Sequence, residues 1–360
     1  MRRLRATLAL TVLLAPLAAQ SESDPALWRF VSPNAKALIG IDWARIRPLK
    51  AGALIREQWL TAGAMANIPG LDLLNDIDRV LISSAGKNSP DDSAESPILI
   101  AVYGHFDAAK VRQVFTHLGA KPQVYNSFQV YRPQGKQAKD MAYVLFDETT
   151  ILFGDSPSVF ATLDRNQFGP ALQPLATSGP MLARAAEMEA GYDFWAIMDA
   201  TEIISDDSVA NLLRGDAWAS EAKGFEAGVN LRAGLAADIT VRFSSDAVAK
   251  RVTTELTRVI NLAAKDKTSG AEVQNIARKV KFSADGSAAR VSLRLTEIEL
   301  QQSAVAFAAS RKAEARNAAA NIVPKPGPAP AATPAKPSVI RIEGLDEGTR
   351  EIPYQDPQQH

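Results

Sequence analysis

Residues Ala37–Ile46 read ALIGIDWARI, and residues Phe194–Ile203 read FWAIMDATEI. In both stretches an apolar run of the length of a strand ends at an acidic residue, Asp42 in the first and Asp199 in the second. A strand pattern that recurs far along the chain indicates a repeated structural unit. The pair therefore predicts that this chain contains two related modules.

Two further correspondences extend the repeat. The strand pattern Ile98–Val102 precedes one helix, and the strand pattern Ala237–Phe243 precedes another. Hairpin patterns over 142–153 and 280–295 then close the two units. The three correspondences are offset by 157, 139 and 138 residues, so the first module holds extra residues between its first two strands. We interpret this pattern as a duplication, while convergence on the same alternation of strand, helix and hairpin is the alternative.

The helix of each module is predicted to cover a sheet. Asp107 and Asp246 are expected to be the N-caps, since a carboxylate can accept the free amide protons of the first turn. Apolar residues recur at helical spacing and define the packing face of each helix. They are Val111, Val114, Phe115 and Leu118 in the first helix and Val248, Val252, Val259 and Ala263 in the second. We predict an α+β fold of two modules, each a mostly antiparallel sheet covered by helices on one face.

The N-terminal residues have the layout of a secretory signal peptide. Arg2, Arg3 and Arg5 precede an apolar run and small residues, with cleavage expected after Ala19. The apolar run is shorter than the roughly 20 residues that a membrane-spanning helix needs. Composition then gives the remaining boundaries: module 1 over 25–165, a linker over 166–180, module 2 with a long C-terminal helix over 181–320, a disordered Pro/Ala-rich spacer over 321–337, and a tail segment over 338–360.

Composition also excludes several protein classes. The chain has no cysteine, which excludes disulfides and the lipid-attachment cysteine of a lipoprotein. Lys and Arg number 40, as do Asp and Glu, and the two signs are interspersed. Nucleic-acid binding requires a clustered basic surface instead. We expect a soluble periplasmic or secreted protein that binds no nucleic acid and has no membrane span after signal cleavage.

Residue patterns for metal or nucleophile chemistry are weak. His105, His117 and His360 are the only histidines, and their spacing does not fit a metal site. His117 lies near the end of a predicted helix, where a positive imidazole complements the helix dipole. Ser156 stands at a strand-to-helix junction and is expected to cap that helix, with Pro157 at the first helical position, rather than to act as a nucleophile. No glycine-rich phosphate loop is present.

Two acids occupy equivalent places in the repeat, and a tryptophan lies near each of them in the sequence. Asp42 and Asp199 could form a carboxylate pair for acid–base chemistry, but capping or turn formation at strand ends is the preferred interpretation. Trp43 and Trp195 lie within or beside predicted strands and are expected to be core residues rather than a ligand platform. We therefore predict no catalytic residue, no metal ligand and no cofactor.

The tail differs from an ordinary disordered terminus because it is apolar. Alternating apolar residues predict a strand, and the glycines at 344 and 348 predict a turn. The segment is therefore expected to form a short hairpin or to add a strand to a sheet edge, either of this protein or of a partner. The predicted partner-binding residues are Ile340, Ile342, Leu345, Ile352 and Tyr354.

Three stretches carry a resemblance: ALIGIDWARI at 37–46, AYVLFDETTILFGDSPSVFATLD at 142–164, and VIRIEGLDEGTREIP at 339–353. Together they resemble uncharacterised exported bacterial proteins with a duplicated α+β module and a proline-rich C-terminal spacer. The resemblance implies no activity, cofactor or catalytic residue.

Our prediction of function is an exported cell-envelope binding or assembly protein without catalytic activity, with an envelope protein as the partner of the tail. A small-ligand or lipid carrier is one alternative, which would need a large apolar cavity. An enzyme of undescribed type is the other, which would need a polar cleft with perturbed carboxylates or histidine.

Overall fold

The computed structural model describes residues 25–62, 72–86, 97–134, 140–167, 180–199, 219–266, 270–306, 309, 338–342 and 350–354. The expected signal peptide (1–19) and spacer (321–337) lie outside these residues, as does most of the expected linker (166–180). The chain divides into two compact units, Met1–Ala304 and Val305–His360. The first unit holds a large mixed α+β structure, and the second holds a two-stranded sheet.

Twelve strands of the first unit form a single antiparallel sheet. Their bounds are β1 Ala37–Asp42, β2 Ile77–Ser84, β3 Ile98–Gly104, β4 Ala120–Tyr125, β5 Phe128–Pro133, β6 Met141–Leu145, β7 Thr150–Asp155, β8 Phe194–Asp199, β9 Ala222–Asn230, β10 Leu235–Phe243, β11 Lys281–Asp285 and β12 Ala288–Leu295. Several of them, such as β1, β6 and β8, alternate buried and less buried positions, as strands between two environments do.

The sheet is continuous across both predicted modules because β1 pairs with β8. The strand order is β11-β12-β10-β9-β8-β1-β2-β3-β7-β6-β5-β4, with β1 and β8 at the junction of the two halves. Their register places Ile39 opposite Ala196 and Gly40 opposite Trp195. Each module was expected to have a sheet of its own, and association of the two sheets was left open. Pairing instead removes two exposed edges, which would otherwise be open to other chains.

Helices connect and cover these strands. The first half contains α1 Pro25–Trp28, α2 Trp43–Ile46, α3 Lys50–Ala62, α4 Leu73–Asp76, α5 Ala108–His117 and α6 Ser156–Asn166. The second half contains α7 Pro180–Gly191, a 3-10 turn at Ala219–Glu221, α8 Asp246–Ala263, α9 Ala271–Lys279 and α10 over 297–306.

Helices cover both faces of the first half, which corrects the expectation of one covered face. Along β3, Leu99 belongs to the apolar cluster that includes α6, whereas Val102 belongs to the cluster that includes α5. Strand β7 divides in the same way between Leu152 and Ile151. Because neighbouring residues of a strand point to opposite faces, the apolar run of β3 must be buried on both sides.

The cluster on the α6 side joins the two halves. Leu38 and Leu81 come from the first half, and Leu182 and Ile197 come from the second. Between them lies the segment Pro25–Val31, which we call the N-terminal strap. Its Phe30 is completely buried, and its other large apolar side chains are nearly so: Leu27, Trp28 and Val31.

One of the two predicted helix caps is confirmed and the other needs correction. The α5 cap is confirmed, since Asp107 accepts the N–H groups of Ala109 and Lys110. The cap of α8 is Ser245 rather than Asp246, which is already helical. Ser245 has the extended backbone that a cap requires.

The predicted packing faces are also only partly correct. Val111, Val114 and Phe115 are buried, as expected, but Leu118 follows the helix and is 47% exposed. Val259 of α8 is 54% exposed, although helical spacing puts it on the same side as Val248 and Val252. The buried residues of α8 are Val248, Ala249 and Val252, so only the N-terminal half of this face is buried.

Candidate functional site

The tail forms a hairpin, one of the two forms expected for it. Strands β13 Ser338–Ile342 and β14 Arg350–Tyr354 pair in antiparallel register. Leu345 lies outside the described residues. Ile340 stands directly opposite Ile352, and Val339 opposite Pro353. The two-residue period of a strand predicts one shared face for Ile340, Ile342, Ile352 and Tyr354, and the other face for Val339 and Pro353.

The structure does not bring the two repeat-equivalent acids together. In the β1–β8 register, Ala37 pairs with Met198 and Ile41 with Phe194. Asp199 is opposite Lys36 and Asp42 is opposite Asp193, so the two acids lie at opposite ends of the strand pair, separated by roughly 20 Å at the usual rise per residue. Asp42 caps α2 by accepting the Arg45 N–H at 3.0 Å, as the preferred interpretation predicted. A shared carboxylate site is excluded by this geometry.

Asp42 instead belongs to a charged cluster at the junction of the two halves. Its Oδ2 lies 2.9 Å from Nε of Arg45 and 3.7 Å from Nε of Arg79. Arg45 also donates to the backbone carbonyl of Glu189 in α7 at 3.1 Å. Trp28 Nε1 of the strap donates to Oε2 of Glu189 at 3.0 Å. The cluster thus connects the strap, β1, β2 and α7.

Burial raises the pKa of the Glu189 carboxyl above its ordinary value of 4.5. The hydrogen bond from Trp28 and the charges of Arg79 and Arg45 lower this pKa in part, and the charge of Asp42 raises it further. A carboxyl with a raised pKa invites an acid–base role. Here its oxygen is held by the Trp28 indole, so a role in holding the strap against α7 fits its contacts better.

The variant Glu189→Gln is expected to change how stability depends on pH. Since the folded pKa is above the unfolded one, this carboxyl's contribution to stability is fully present below the unfolded pKa and is lost as pH rises through the folded pKa. Glutamine does not titrate. The melting temperature of Glu189→Gln should therefore increase relative to wild type as pH rises from about 4 to 7.

Paired thermal melts across that pH range measure the effect. Glu187→Gln, at an exposed position of the same helix, reports the general effect of removing one carboxylate from α7. A melting-temperature difference between Glu189→Gln and wild type that stays constant with pH would contradict this assignment.

The other candidate residues have structural contacts. His117 lies in the last turn of α5, as predicted. His105 Nε2 lies 3.4 Å from Oδ2 of Asp78, at a largely exposed position. The prediction that Ser156 caps α6 is wrong by one position, because Ser156 is already the first helical residue and Pro157 the second. The cap is the preceding Asp155, which accepts the Ser158 N–H at 2.9 Å. Within the described ranges, no three His, Cys, Asp or Glu side chains come together as metal ligands.

Trp43 and Trp195 are core residues, as expected. Both side chains are almost completely buried. The Trp43 indole donates to the carbonyl of Leu74 at 2.7 Å. The Trp195 ring stacks on Trp28 with the ring centres 6.0 Å apart. The tryptophans therefore anchor packing at the centre of the sheet.

Two buried acids that the sequence did not single out lie in the second half. Asp193 is completely buried, accepts the Leu231 N–H at 2.7 Å and lies 3.3 Å from Nε of Arg232. Glu226 of β9 pairs with Arg184 of α7 at 2.9 Å and with Arg242 of β10. The sequence did hold one signal for Glu226: an acidic residue in the middle of a strand indicates a buried, paired carboxylate. These contacts fix α7 and the β9–β10 turn on the sheet.

Two depressions border α10. One has a volume of about 330 Å³ and includes Arg294, and the other has about 240 Å³ and includes Lys50 and Glu297. Arg294 is paired with Asp238 at 2.8 Å, and Lys50 with Glu297 at 3.2 Å. An ionic ligand in either depression would have to compete with an existing ion pair.

Comparisons with known proteins do not assign a family. Neither the protein-family models nor the curated proteins include a match to this chain. Among solved structures, the chain is similar to the one titled "Structure of crystal form I of TP0453", with 11% sequence identity over 79% of this chain and 97% of that chain. The TM-score is 0.43, which is too low to assign a shared fold. Across the described residues, no helix is both long and apolar enough to cross a bilayer.

Proposed function

We propose that this chain is an exported, non-enzymatic binding or assembly protein of the bacterial cell envelope, and that it contacts a partner protein through its C-terminal hairpin. The observation that carries the proposal is the β13–β14 hairpin, which belongs to a unit distinct from the large sheet. A two-stranded hairpin alone is marginally stable in water. An apolar face on such a small element favours a covering partner.

The N-terminal pattern supports the export part of the proposal. Three arginines, an apolar run and small residues up to Ala19 are typical of a cleaved signal peptide. The absence of cysteine from the whole sequence means that folding outside the cytoplasm needs no oxidation step. A periplasmic or secreted location follows from this proposal.

We also propose that the two halves arose by duplication. Counted outward from the β1–β8 junction, the first half runs β1-β2-β3-β7-β6 and the second runs β8-β9-β10-β12-β11. In each half, helical structure follows the third strand, and the hairpin that supplies the next two strands of the sheet comes later in the chain, β6–β7 in the first half and β11–β12 in the second. The first half differs by the added hairpin β4–β5, which extends its outer edge.

A face-specific pair of substitutions tests the partner contact. Ile340→Asp places a charge on the face shared with Ile352, whereas Val339→Asp places the same charge on the opposite face. Losing one apolar side chain that is buried in the contact lowers the binding free energy by roughly 1.5–3 kcal/mol. We expect Ile340→Asp to reduce recovery of the partner from an envelope fraction at least about tenfold, and Val339→Asp to retain it.

Thermal melts of the same variants separate docking on a partner from docking on this protein's own sheet. Both variants are expected to keep the wild-type melting temperature. A lower melting temperature for Ile340→Asp alone would indicate that the hairpin covers its own chain. Equal recovery of the same partner by both variants would rule out docking through this face.

A further inference from the structure

The N-terminal strap contacts parts of the chain that are far away in sequence. Trp28 bonds Glu189 across 161 residues, and Arg29 bonds Asp147 across 118 residues. Arg165 of α6 donates to the carbonyl of Phe30 at 3.3 Å, across 135 residues. These contacts reach both halves of the sheet.

The slot that holds the strap exists only when several elements are already in place. One wall is the β6–β7 turn, where the Phe146 ring meets Phe30 edge-on at 5.0 Å. Another is α6, where Asn166 donates to the carbonyl of Arg29 at 3.4 Å. The third comes from the second half, where Trp195 of β8 stacks on Trp28. The strap can therefore bind fully only after β8 has joined the sheet.

We propose that the strap is the closing element of the fold, which docks after the two halves have formed and paired. The entropy cost of closing a loop grows with its length, so contacts across more than 100 residues, including the β1–β8 pairing, form later than hairpins and neighbouring strands. The strap follows that pairing because Trp195 of β8 is one wall of its slot. The strands of each half pair largely with close neighbours in sequence, such as β6 with β7 and β9 with β10. Most of the sheet can thus form without the strap.

This order has a consequence for export, which rests on the proposed function. The strap begins a few residues after the expected cleavage site and would leave the cytoplasm first. Its partner Trp195 would follow more than 160 residues later. While the strap is outside and Trp195 is still inside the cytoplasm, the core cannot be completed. The rest of the chain would therefore stay unfolded enough to be exported. The folding order itself can be tested whether or not the chain is exported.

The cysteine-free sequence allows a direct test by thiol labelling during refolding. Three valines are matched in burial: Val31 in the strap at 2%, Val144 in β6 at 0% and Val252 in α8 at 2%. Each is replaced singly by cysteine in the chain from residue 20 to 360, and a pulse of thiol reagent is applied at increasing refolding times. Circular dichroism confirms that each variant returns to the native state.

Val144→Cys and Val252→Cys are expected to become protected first, and Val31→Cys with a half-time roughly tenfold longer or more. Equal or earlier protection of Val31→Cys would overturn the proposal, as would a Val31 thiol that stays reactive in the native protein. If Val31→Cys does not refold, Leu27→Cys takes its place, at a strap position that is 5% exposed. These half-times measure folding of the chain alone, so they do not depend on whether the hairpin variants lose their partner.

Discussion

The variant Gly40→Ala is expected to lower the free energy of unfolding by about 3 kcal/mol or more. A Cβ atom at position 40 would lie 2.2 Å from Cε2 of the Trp195 ring, the residue directly across the β1–β8 junction. The ring cannot move aside easily, because it is 3% exposed and stacks on Trp28. The clash therefore disrupts the pairing that joins the two halves.

Gly191→Ala is the matched control for this substitution. A Cβ atom at Gly191, at the end of α7, would meet no heavy atom within 4 Å. We expect that variant to be neutral or slightly stabilising. Urea denaturation measures both variants. Because the clash requires the large ring, adding Trp195→Leu to Gly40→Ala should cost less than the sum of the two single changes. Equal stabilities for Gly40→Ala and Gly191→Ala would contradict the register.

The variant Phe30→Ala is expected to cost about 3–5 kcal/mol, the range for removing a buried aromatic side chain. Phe30 is completely buried, packs against Phe146, and has the Arg29 guanidinium 4.7 Å from its ring centre. Its removal leaves a cavity between the strap and the β6–β7 turn.

Phe160→Ala in α6 is the control for ring size. Phe160 is half-buried and meets the Tyr125 ring at 4.5 Å, so its removal exposes less new cavity surface and should cost about 1–2 kcal/mol. Urea denaturation compares the two variants. If Phe160→Ala destabilises the protein as much as Phe30→Ala does, the strap is not part of the central core.

The strands and hairpins could be predicted from the sequence because their signals are local. Alternation and turn residues within a few positions of one another define the β6–β7 and β11–β12 hairpins. The continuous apolar run of β3, Ile98–Val102, also carried a signal of burial on both faces. That signal disagreed with the prediction that helices cover one face of the sheet only. In the structure, α5 covers one face of β3 and α6 covers the other.

The junction and the strap could not be predicted in the same way. Gly40 packs beneath the Trp195 ring, and the two residues are 155 positions apart in the sequence. The sequence around either residue does not show which residue it contacts. The sequence of the strap is a short apolar stretch with no regular period, so no neighbouring residue indicates that the strap packs against α6 and α7. The Glu189 carboxyl was missed for the same reason, since its pKa is raised by burial that only the tertiary fold creates.

β1 and β8 join both halves into one sheet, and a pair of cysteines introduced across these two strands tests that pairing. Ile39 and Ala196 are directly opposite on the two strands, at a spacing within reach of a disulfide. Ile197 is one residue further along and points to the other face of the sheet. The cysteine-free chain lets each pair be introduced alone.

Mild oxidation of the double variant Ile39→Cys/Ala196→Cys should therefore give a cross-link in nearly all molecules. The double variant Ile39→Cys/Ile197→Cys should give little. Mass spectrometry of a protease digest under non-reducing conditions identifies the linked peptides. Equal cross-linking of the two pairs, or no cross-link between positions 39 and 196 in folded protein, would contradict the single sheet.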